Sequence, residues 1–228
     1  MKPNRKLAQT TTPDGACLTL HEPDGSFCIR MNGQGLMHSS VTASEIQLGE
    51  LAVARVSSLV DPSVLVGGLG LGYTLKSVLQ NVGSQAKILV VELIPCIVDW
   101  NREFLSGVNG ALLNEPRVEI ILADVWDVIS RSGLDQYDAI LLDIDNGPTA
   151  MVQKQNARLY DRRGLRMMAD ALKRCGRVAF WSARPDPAFA KRLQDVGFKV
   201  EAVPAKLYPN AKRCTCTIYV ADKYVADK

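Results

Sequence analysis

From residue 64 onward, short and almost continuous apolar runs alternate with segments in which apolar residues recur every three or four positions. The runs predict parallel strands that are covered on both faces, and the recurring positions predict amphipathic helices between them. The predicted strands span residues 64–66, 87–92, 118–123, 137–143 and 177–181, and the predicted helices span residues 74–82, 94–105, 124–131, 163–174 and 187–196.

Two further apolar runs, at residues 199–203 and 214–220, predict the last two strands. The segment between them, residues 204–213, is too short for a helical crossover, so these strands should pair antiparallel. The pattern therefore predicts an α/β fold with a doubly wound, mostly parallel, seven-stranded sheet and a C-terminal antiparallel strand. This sheet and its helices should form one domain over residues 61–228.

Residues 1–60 differ in character from the sheet domain. Residues 1–13 are polar, contain two prolines and are predicted to be loosely held. Short apolar runs bounded by Asp-Gly turn signals then predict a small β-hairpin or meander, and a helix follows. These predicted strands and this helix span residues 16–21, 26–31 and 42–57. Residues 1–60 are therefore expected to form an N-terminal β region with one helix.

Composition and charge exclude several kinds of protein. The net charge of +3 is too small to predict nucleic-acid binding. The apolar runs are too short to span a membrane, and no apolar stretch of secretion-signal type follows the basic start, so we expect a cytoplasmic protein. The six cysteines form no Cys-x-x-Cys pair and there are only two histidines, which predicts reduced thiols and no metal site. His38 is interpreted as a structural histidine.

A glycine-rich turn follows the first predicted strand of the sheet. Glycines at positions 68, 70 and 72 let a ligand approach the backbone closely, because no Cβ atom stands in the way. The turn also presents N–H groups at the start of a helix. Gly68, Gly70 and Gly72 are therefore predicted to bind a nucleoside-bearing cofactor.

The spacing of this turn bears on which cofactor it takes. The dinucleotide fingerprint Gly-x-Gly-x-x-Gly is not met, since Leu75 occupies the third glycine position, and this disfavours an NAD-dependent dehydrogenase. No Gly-Lys-Ser/Thr follows, which excludes a phosphate-binding P-loop. The remaining pattern is Gly-x-Gly-x-Gly.

Three acids stand at or just after the ends of the second, third and fourth predicted strands of the sheet domain. Glu92 ends the strand that follows the glycine turn, and it could accept hydrogen bonds from both ribose hydroxyls. Asp124 could accept from the exocyclic amine of a purine, and Asp143 lies where the reacting end of a cofactor would emerge. Glu92 or Asp124 could instead only cap the helix that follows. The segment from Asp145 to Pro148 could equally be only a turn.

The glycine turn, the acids and the final hairpin together resemble the class I S-adenosylmethionine-dependent methyltransferases, over about residues 60 to 220. A closer resemblance is to the spermidine synthase family, which shares the methyltransferase-type sheet and carries a small N-terminal β region. The stretches that carry it are Val-Leu-Val-Gly-Gly-Leu-Gly-Leu-Gly-Tyr-Thr-Leu (64–75), Val-Val-Glu-Leu (90–93), Tyr-Asp-Ala-Ile-Leu-Leu-Asp (137–143) and Leu-Tyr (159–160).

This resemblance implies a cofactor, an acceptor and an assembly. The cofactor would be S-adenosylmethionine or its decarboxylated form, the acceptor a small amine, and the assembly a homodimer. Two positions depart from the family pattern. Leu71 stands where the family has an acid that holds the aminopropyl ammonium. The second acid of the family's Asp-Ser-x-Asp-Pro motif is displaced, so that Asp143 and Asp145 are now separated only by Ile144.

The expected reaction is the transfer of an alkyl group, aminopropyl or methyl, from a sulfonium to an amine. Free alkylamines titrate near the lysine value of about 10.4, so a carboxylate must help to position or deprotonate the acceptor. Asp143 is the first candidate for this role and Asp145 the second, with Tyr137 or Tyr160 as a helper. A non-catalytic nucleoside-binding relative, which keeps the sheet without turnover, is the alternative that the displaced acid motivates.

Overall fold

The computed structural model describes residues 4–12, 15–144 and 154–224. An N-terminal meander precedes an alternation of strands and helices. The strands are β1 (Arg5–Thr11), β2 (Cys17–Glu22), β3 (Cys28–Met31), β4 (Gln34–His38), β5 (Ser63–Gly67), β6 (Lys87–Glu92), β7 (Val118–Leu122), β8 (Tyr137–Leu142), β9 (Leu172–Ser182), β10 (Phe198–Ala205) and β11 (Cys216–Lys223). The helices are α1 (Ala43–Val53), α2 (Tyr73–Asn81), α3 (Pro95–Glu103), α4 (Ser106–Asn109), α5 (Val125–Arg131), α6 (Arg162–Ala171) and α7 (Pro187–Val196), with short 3-10 turns at Leu112–Asn114 and Lys154–Leu159.

The larger sheet has the strand order β10-β11-β9-β8-β5-β6-β7. Strands β5 to β9 pair in parallel, whereas β11 runs antiparallel to both of its neighbours, β9 and β10. The predicted doubly wound sheet of seven strands with an antiparallel C-terminal strand is therefore confirmed. The strand order reverses between β5 and β8, and such a reversal opens a ligand crevice at the carboxyl ends of the strands.

Both faces of this sheet are covered, which explains why its central strands β5 and β8 are almost entirely apolar. Val64 and Val66 of β5 belong to one apolar cluster, and Leu65 between them belongs to the other. Leu141 and Ile140 of β8 divide in the same way, because successive side chains of a strand point to opposite faces. The first cluster includes residues of α1, α2 and α3, and the second includes residues of α5, α6 and α7.

Strands β1 to β4 form a separate antiparallel meander. The prediction that residues 1–13 are loosely held is wrong for β1, whose residues pair with β2 along most of their length. β4 is a further strand that the sequence did not predict. Leu18, Leu20 and Ile29 are fully buried and share an apolar cluster with Leu48 of α1 and the sheet domain. The division of the chain at residue 60 stays a prediction.

The region where α6 meets β9 also differs from the prediction. The helix ends at Ala171 and the strand begins at Leu172, whereas the apolar spacing predicted a helix to residue 174. Leu172 continues the apolar stripe of the helix, but its backbone pairs with Tyr137 of β8 instead. Gly176 therefore lies inside β9 and does not end the helix.

The first copy of the repeated Tyr-Val-Ala-Asp-Lys sequence, residues 219–223, is part of β11. Asp222 in this copy accepts a hydrogen bond from Nε of Arg177 in β9 at 2.7 Å. The first copy therefore helps to join two strands of the sheet, and residues 225–228 of the second copy lie outside the described residues. Within the part of the chain that the structure describes, no helix combines the length and the apolar character that crossing a membrane requires.

Substituting Phe189→Ala should destabilise the fold by about 3–5 kcal/mol, because it removes a fully buried ring and leaves a cavity. The ring of Phe189 lies 5.0 Å from that of Phe180 and 5.2 Å from that of Tyr219, both nearly perpendicular to it. Denaturant unfolding measures the loss. Leu134→Ala is the control, since Leu134 is 75% exposed and its truncation should cost little. Equal losses in both variants would contradict this account of the core.

Candidate active site

The glycine turn connects β5 to α2 in a conformation that depends on glycine. Gly68 and Gly70 have φ values of 92° and 53°, in the left-handed region that side chains disfavour. A Cβ atom at Gly68 would also collide with the carbonyl oxygen of Asp143. The turn can therefore approach the end of β8 only because residue 68 has no side chain.

Glu92 ties this turn to the end of β6. One carboxylate oxygen accepts a hydrogen bond from the backbone N–H of Leu69 at 2.9 Å, and the other accepts from the N–H of Ile94 at 2.9 Å. Burial raises the pKa of Glu92, and these backbone donors partly offset that rise. Glu92 therefore joins two loops and also lines the cavity described below.

Two buried asparagines support the turn from the other side. Asn101 donates to the carbonyl oxygen of Gly70 at 2.8 Å, and Asn109 donates to the side-chain oxygen of Asn101 at 2.7 Å. A Cβ atom at Gly72 would lie 3.1 Å from the side-chain nitrogen of Asn109. Gly72 is thus a packing position next to these asparagines, and it is not among the residues that line the cavity.

Asp124 has both of its oxygens engaged by the protein. Oδ1 accepts from the N–H of Trp126 at 2.8 Å and so caps α5, and Oδ2 accepts from the guanidinium of Arg158 at 2.7 Å. The same guanidinium lies 4.8 Å from the centre of the Trp126 ring. Asp124 nevertheless lines the cavity, so the capping and ligand-facing interpretations of this residue are compatible.

Asp143 follows β8 directly and faces the glycine turn. Its backbone N–H donates to the carbonyl oxygen of Gly67 at 2.9 Å, and its Oδ2 accepts from the hydroxyl of Thr74 at 2.6 Å. Loss of hydration raises the pKa of Asp143, and the hydrogen bond from Thr74 partly offsets that rise. A carboxylate with a raised pKa is a better proton acceptor than an ordinary aspartate.

Glu45, in the first turn of α1, places a second acid beside Asp143. Burial, followed by the negative charge of Asp143, raises the pKa of Glu45 well above its usual value. Its Oε2 atom is buried and has no hydrogen-bond partner among the described residues. The hydroxyl of Thr74, which donates to Asp143, lies 3.5 Å from the carbonyl oxygen of Glu45. Two acids therefore share this part of the site.

A cavity of about 600 Å³ brings the predicted residues together at the carboxyl ends of the sheet strands. Gly68, Gly70, Glu92, Asp124 and Asp143 all line it, as does Glu45. The N-terminal meander and the loop after β10 line other sides of the cavity with mostly apolar side chains. These include Met31, Met37, Leu36, Leu207, Tyr208 and, from the end of β9, Trp181.

His38 also lines this cavity, although the sequence led us to interpret it as structural. It is the last residue of β4, and its Nδ1 atom lies 2.7 Å from the hydroxyl of Ser40. The backbone N–H of Ser40 donates to the same nitrogen at 3.2 Å. The histidine therefore has a local structural partner and a place at the cavity wall.

The structure does not bring every candidate to the site. Tyr137 is the first residue of β8, and its hydroxyl lies 3.2 Å from that of Ser132. At about 3.3 Å per residue, the six-residue strand separates Tyr137 from Asp143 by roughly 20 Å, so Tyr137 cannot contact the same reacting atoms. Tyr160 packs in the aromatic cluster with Phe180. Asp145 lies outside the described residues.

Sequence reasoning missed Glu45, Asn101 and Asn109. An acid in the first turn of a helix is a common helix-dipole arrangement, so nothing in the sequence marks Glu45 as a ligand-facing residue. The asparagines lie in and after α3, and their link to the turn exists only in three dimensions. Leu71 is 3% exposed and packs into the apolar core, and it is not a cavity-lining residue.

The fold is of the class I methyltransferase type, with its crevice at the carboxyl ends of the central strands. Solved structures that share this fold include two spermidine synthases. The spermidine synthase from Thermotoga maritima matches with a TM-score of 0.72 at 20% identity, covering 97% of this chain and 74% of that one. A spermidine synthase in complex with the transition-state analogue AdoDATO matches with a TM-score of 0.73 at 21% identity and the same coverage, 97% and 74%.

Curated relatives agree with this likeness. The polyamine aminopropyltransferase of Aeropyrum pernix is 27% identical over 113 residues, which are 48% of this chain and 33% of that protein. Putrescine N-methyltransferase 2 of Nicotiana attenuata is 35% identical over 89 residues, 39% of this chain and 24% of that protein. The match thus spans a third or less of these relatives. No protein-family model matches the chain. The chain is thus similar to spermidine synthases in fold and, over part of its length, to polyamine aminopropyltransferases in sequence, in agreement with the resemblance of its motifs.

The substitution Glu45→Gln should make stability less dependent on pH. Because the pKa of Glu45 is raised in the folded protein, the folded state holds a proton that the unfolded state has already lost. The wild-type free energy of unfolding therefore falls as the pH rises above the ordinary glutamate value, and glutamine removes this term. The melting temperature of the variant minus that of wild type should therefore increase between about pH 5 and about pH 8. Each kcal/mol of stability that wild type loses over this range corresponds to about 2–4 °C.

Glu50→Gln is the matched control for this measurement. Glu50 lies on the same helix but is exposed, so its variant should follow the wild-type pH curve. Asp143, Tyr73, His38 and Tyr208 remain present in all three proteins, so the difference between the curves reports the loss of Glu45 together with its effect on Asp143 and Tyr73. Parallel curves for wild type and Glu45→Gln would contradict the raised pKa.

Proposed function

We propose that this protein transfers an alkyl group from an adenosyl sulfonium to a small amine. The observation that carries the proposal is that one cavity holds Glu92 and Asp124 at the ends of β6 and β7, and Asp143 with Glu45 on the β8 side. Glu92 and Asp124 would bind the ribose and the adenine, and the glycine turn would lie against the sulfur end. The names of the similar proteins, aminopropyltransferases and a putrescine N-methyltransferase, support the same chemistry.

The reaction needs alignment more than activation, because a sulfonium already carries a good leaving group. The acceptor arrives as an ammonium and gives one proton to Asp143. The nitrogen lone pair then attacks the carbon attached to sulfur, and the carbon–sulfur bond breaks with its electrons on sulfur. The products are a neutral thioether and an alkylated ammonium. The raised pKa of Asp143 suits this proton transfer, because it reduces the difference between the pKa of the carboxyl group and the pKa of the amine.

The transferred group is either aminopropyl or methyl. Aminopropyl transfer would use decarboxylated S-adenosylmethionine and is supported by the relatives named polyamine aminopropyltransferase. Methyl transfer from S-adenosylmethionine is a second candidate, and a specific observation favours it. Leu71 is buried in the core, so this position of the turn supplies no carboxylate for an aminopropyl ammonium.

Ligand-dependent thermal stability tests the cofactor, since a ligand that binds the folded state raises the melting temperature. We expect upward shifts with S-adenosylmethionine or its decarboxylated form, and with methylthioadenosine or S-adenosylhomocysteine. Asp143→Asn should retain these shifts and lose about 10²–10⁴-fold in the rate of alkyl transfer, followed by mass spectrometry with putrescine as acceptor.

Each alternative predicts a different result in the same experiment. A shift with NADH alone would favour a dehydrogenase. Shifts with the adenosyl thioethers but no wild-type transfer to any amine would favour a non-catalytic relative. The absence of a shift with every adenosyl compound would contradict the proposal as a whole.

We also propose that the protein is a homodimer that pairs through the N-terminal meander. Only the resemblance to spermidine synthases supports this assembly. Light scattering after size-exclusion chromatography should give twice the mass of one chain. The mass of one chain at every concentration tested would contradict the dimer.

A further inference from the structure

We propose that Glu45 and Asp143 together form the ammonium-binding subsite for the amine acceptor, with Glu45 as its main determinant of charge selectivity. This inference rests on the proposed function and deepens it, because it names the group that selects a cationic acceptor. The two residues come from distant parts of the chain, and both line the cavity. Thr74 lies between them, because its hydroxyl donates to Oδ2 of Asp143 and lies 3.5 Å from the backbone carbonyl oxygen of Glu45.

Among the acids that line the cavity, Glu45 differs from the others in the hydrogen bonds that its carboxylate accepts. Both oxygens of Glu92 accept backbone N–H groups, and both oxygens of Asp124 accept protein donors. Asp143 has Thr74 on one oxygen. By contrast, Oε2 of Glu45 is closed off from solvent and has no partner among the described residues. A buried carboxylate oxygen without a donor is costly, and a ligand ammonium would supply that donor.

Electrostatics points to a cationic ligand. Burial and the negative charge of Asp143 both raise the pKa of Glu45, so the pair favours a state that keeps one proton when no cation is bound. A bound ammonium supplies the positive charge that allows both groups to ionise, and the retained proton leaves. Binding of an amine should therefore release a proton, whereas binding of a neutral analogue should not.

The described residues that line the cavity around Glu45 include no lysine or arginine, so the positive charge would come from the ligand. Tyr73 on α2 lies close enough for the charge of Glu45 to contribute, after burial, to raising the pKa of its phenol, and this phenol donates to the carbonyl oxygen of Ser39. His38 and Tyr208 line the cavity from β4 and from the loop after β10. Apolar neighbours such as Met37 and Trp181 would contact the carbon chain of the acceptor.

The test measures binding of putrescine to the full chain saturated with methylthioadenosine, by calorimetry. Methylthioadenosine is uncharged, so its own binding does not use the ammonium subsite. Glu45→Gln should weaken putrescine binding by about tenfold or more and leave methylthioadenosine affinity nearly unchanged. Repeating the titration in buffers of different ionisation enthalpy should show that wild type releases up to about one proton and that Glu45→Gln releases less.

Two further comparisons complete the experiment. Glu50→Gln, on the exposed face of α1, should bind putrescine as wild type does, and Glu45→Asp should recover part of the affinity that glutamine loses. The neutral diol of the same chain length should bind weakly to every variant. Circular dichroism and retained methylthioadenosine binding show that each variant is folded.

The outcomes separate this inference from the proposed function. If wild type does not bind methylthioadenosine, the proposed function fails. If methylthioadenosine binds but putrescine affinity and proton release are the same in wild type and Glu45→Gln, only the ammonium subsite is overturned. Failure of wild type to bind putrescine in the presence of methylthioadenosine would overturn it too, because the pair should accept a primary ammonium that fits the cavity.

Discussion

The carboxylate of Glu92 is the interaction on which the rest of the site depends. It accepts the N–H of Leu69 in the glycine turn and the N–H of Ile94 before α3, so one side chain sets the distance between two loops. Its burial is tolerated because backbone donors surround it. The positive-φ conformation of the glycine turn is held in place by this carboxylate on one side and by Asn101 on the other.

The resulting cavity has mostly apolar walls and is also lined by acidic side chains. Asp124 is neutralised by Arg158, and Glu92 is held by backbone dipoles. Asp143 and Glu45 have no positively charged partner in the described part of the site, and the pKa of each is raised. A cationic group, such as a sulfonium or an ammonium, is the kind of ligand charge that this cavity would favour.

The N-terminal meander forms part of the cavity wall. Leu18 and Ile29 pack into the core that lies under α1, and Met37 and His38 reach the wall of the cavity. α1 then places Glu45 opposite the end of β8. The N-terminal region and the sheet therefore supply different kinds of group to one site. The meander and α1 supply apolar walls and an acid, and the sheet supplies the glycine turn and three acids.

The sequence by itself determined the sheet, its final hairpin, the glycine turn and the acids at the strand ends, because strand alternation and turn chemistry are local signals. Tertiary structure decided the rest. Glu45 and Asp143 lie 98 positions apart in the chain, so no local spacing predicts that both line one cavity. Tyr137 looked suitable by proximity in sequence, yet the extended strand β8 places it at the opposite end of the strand from Asp143. Local patterns specify elements, whereas the meeting of side chains across them depends on how the elements pack.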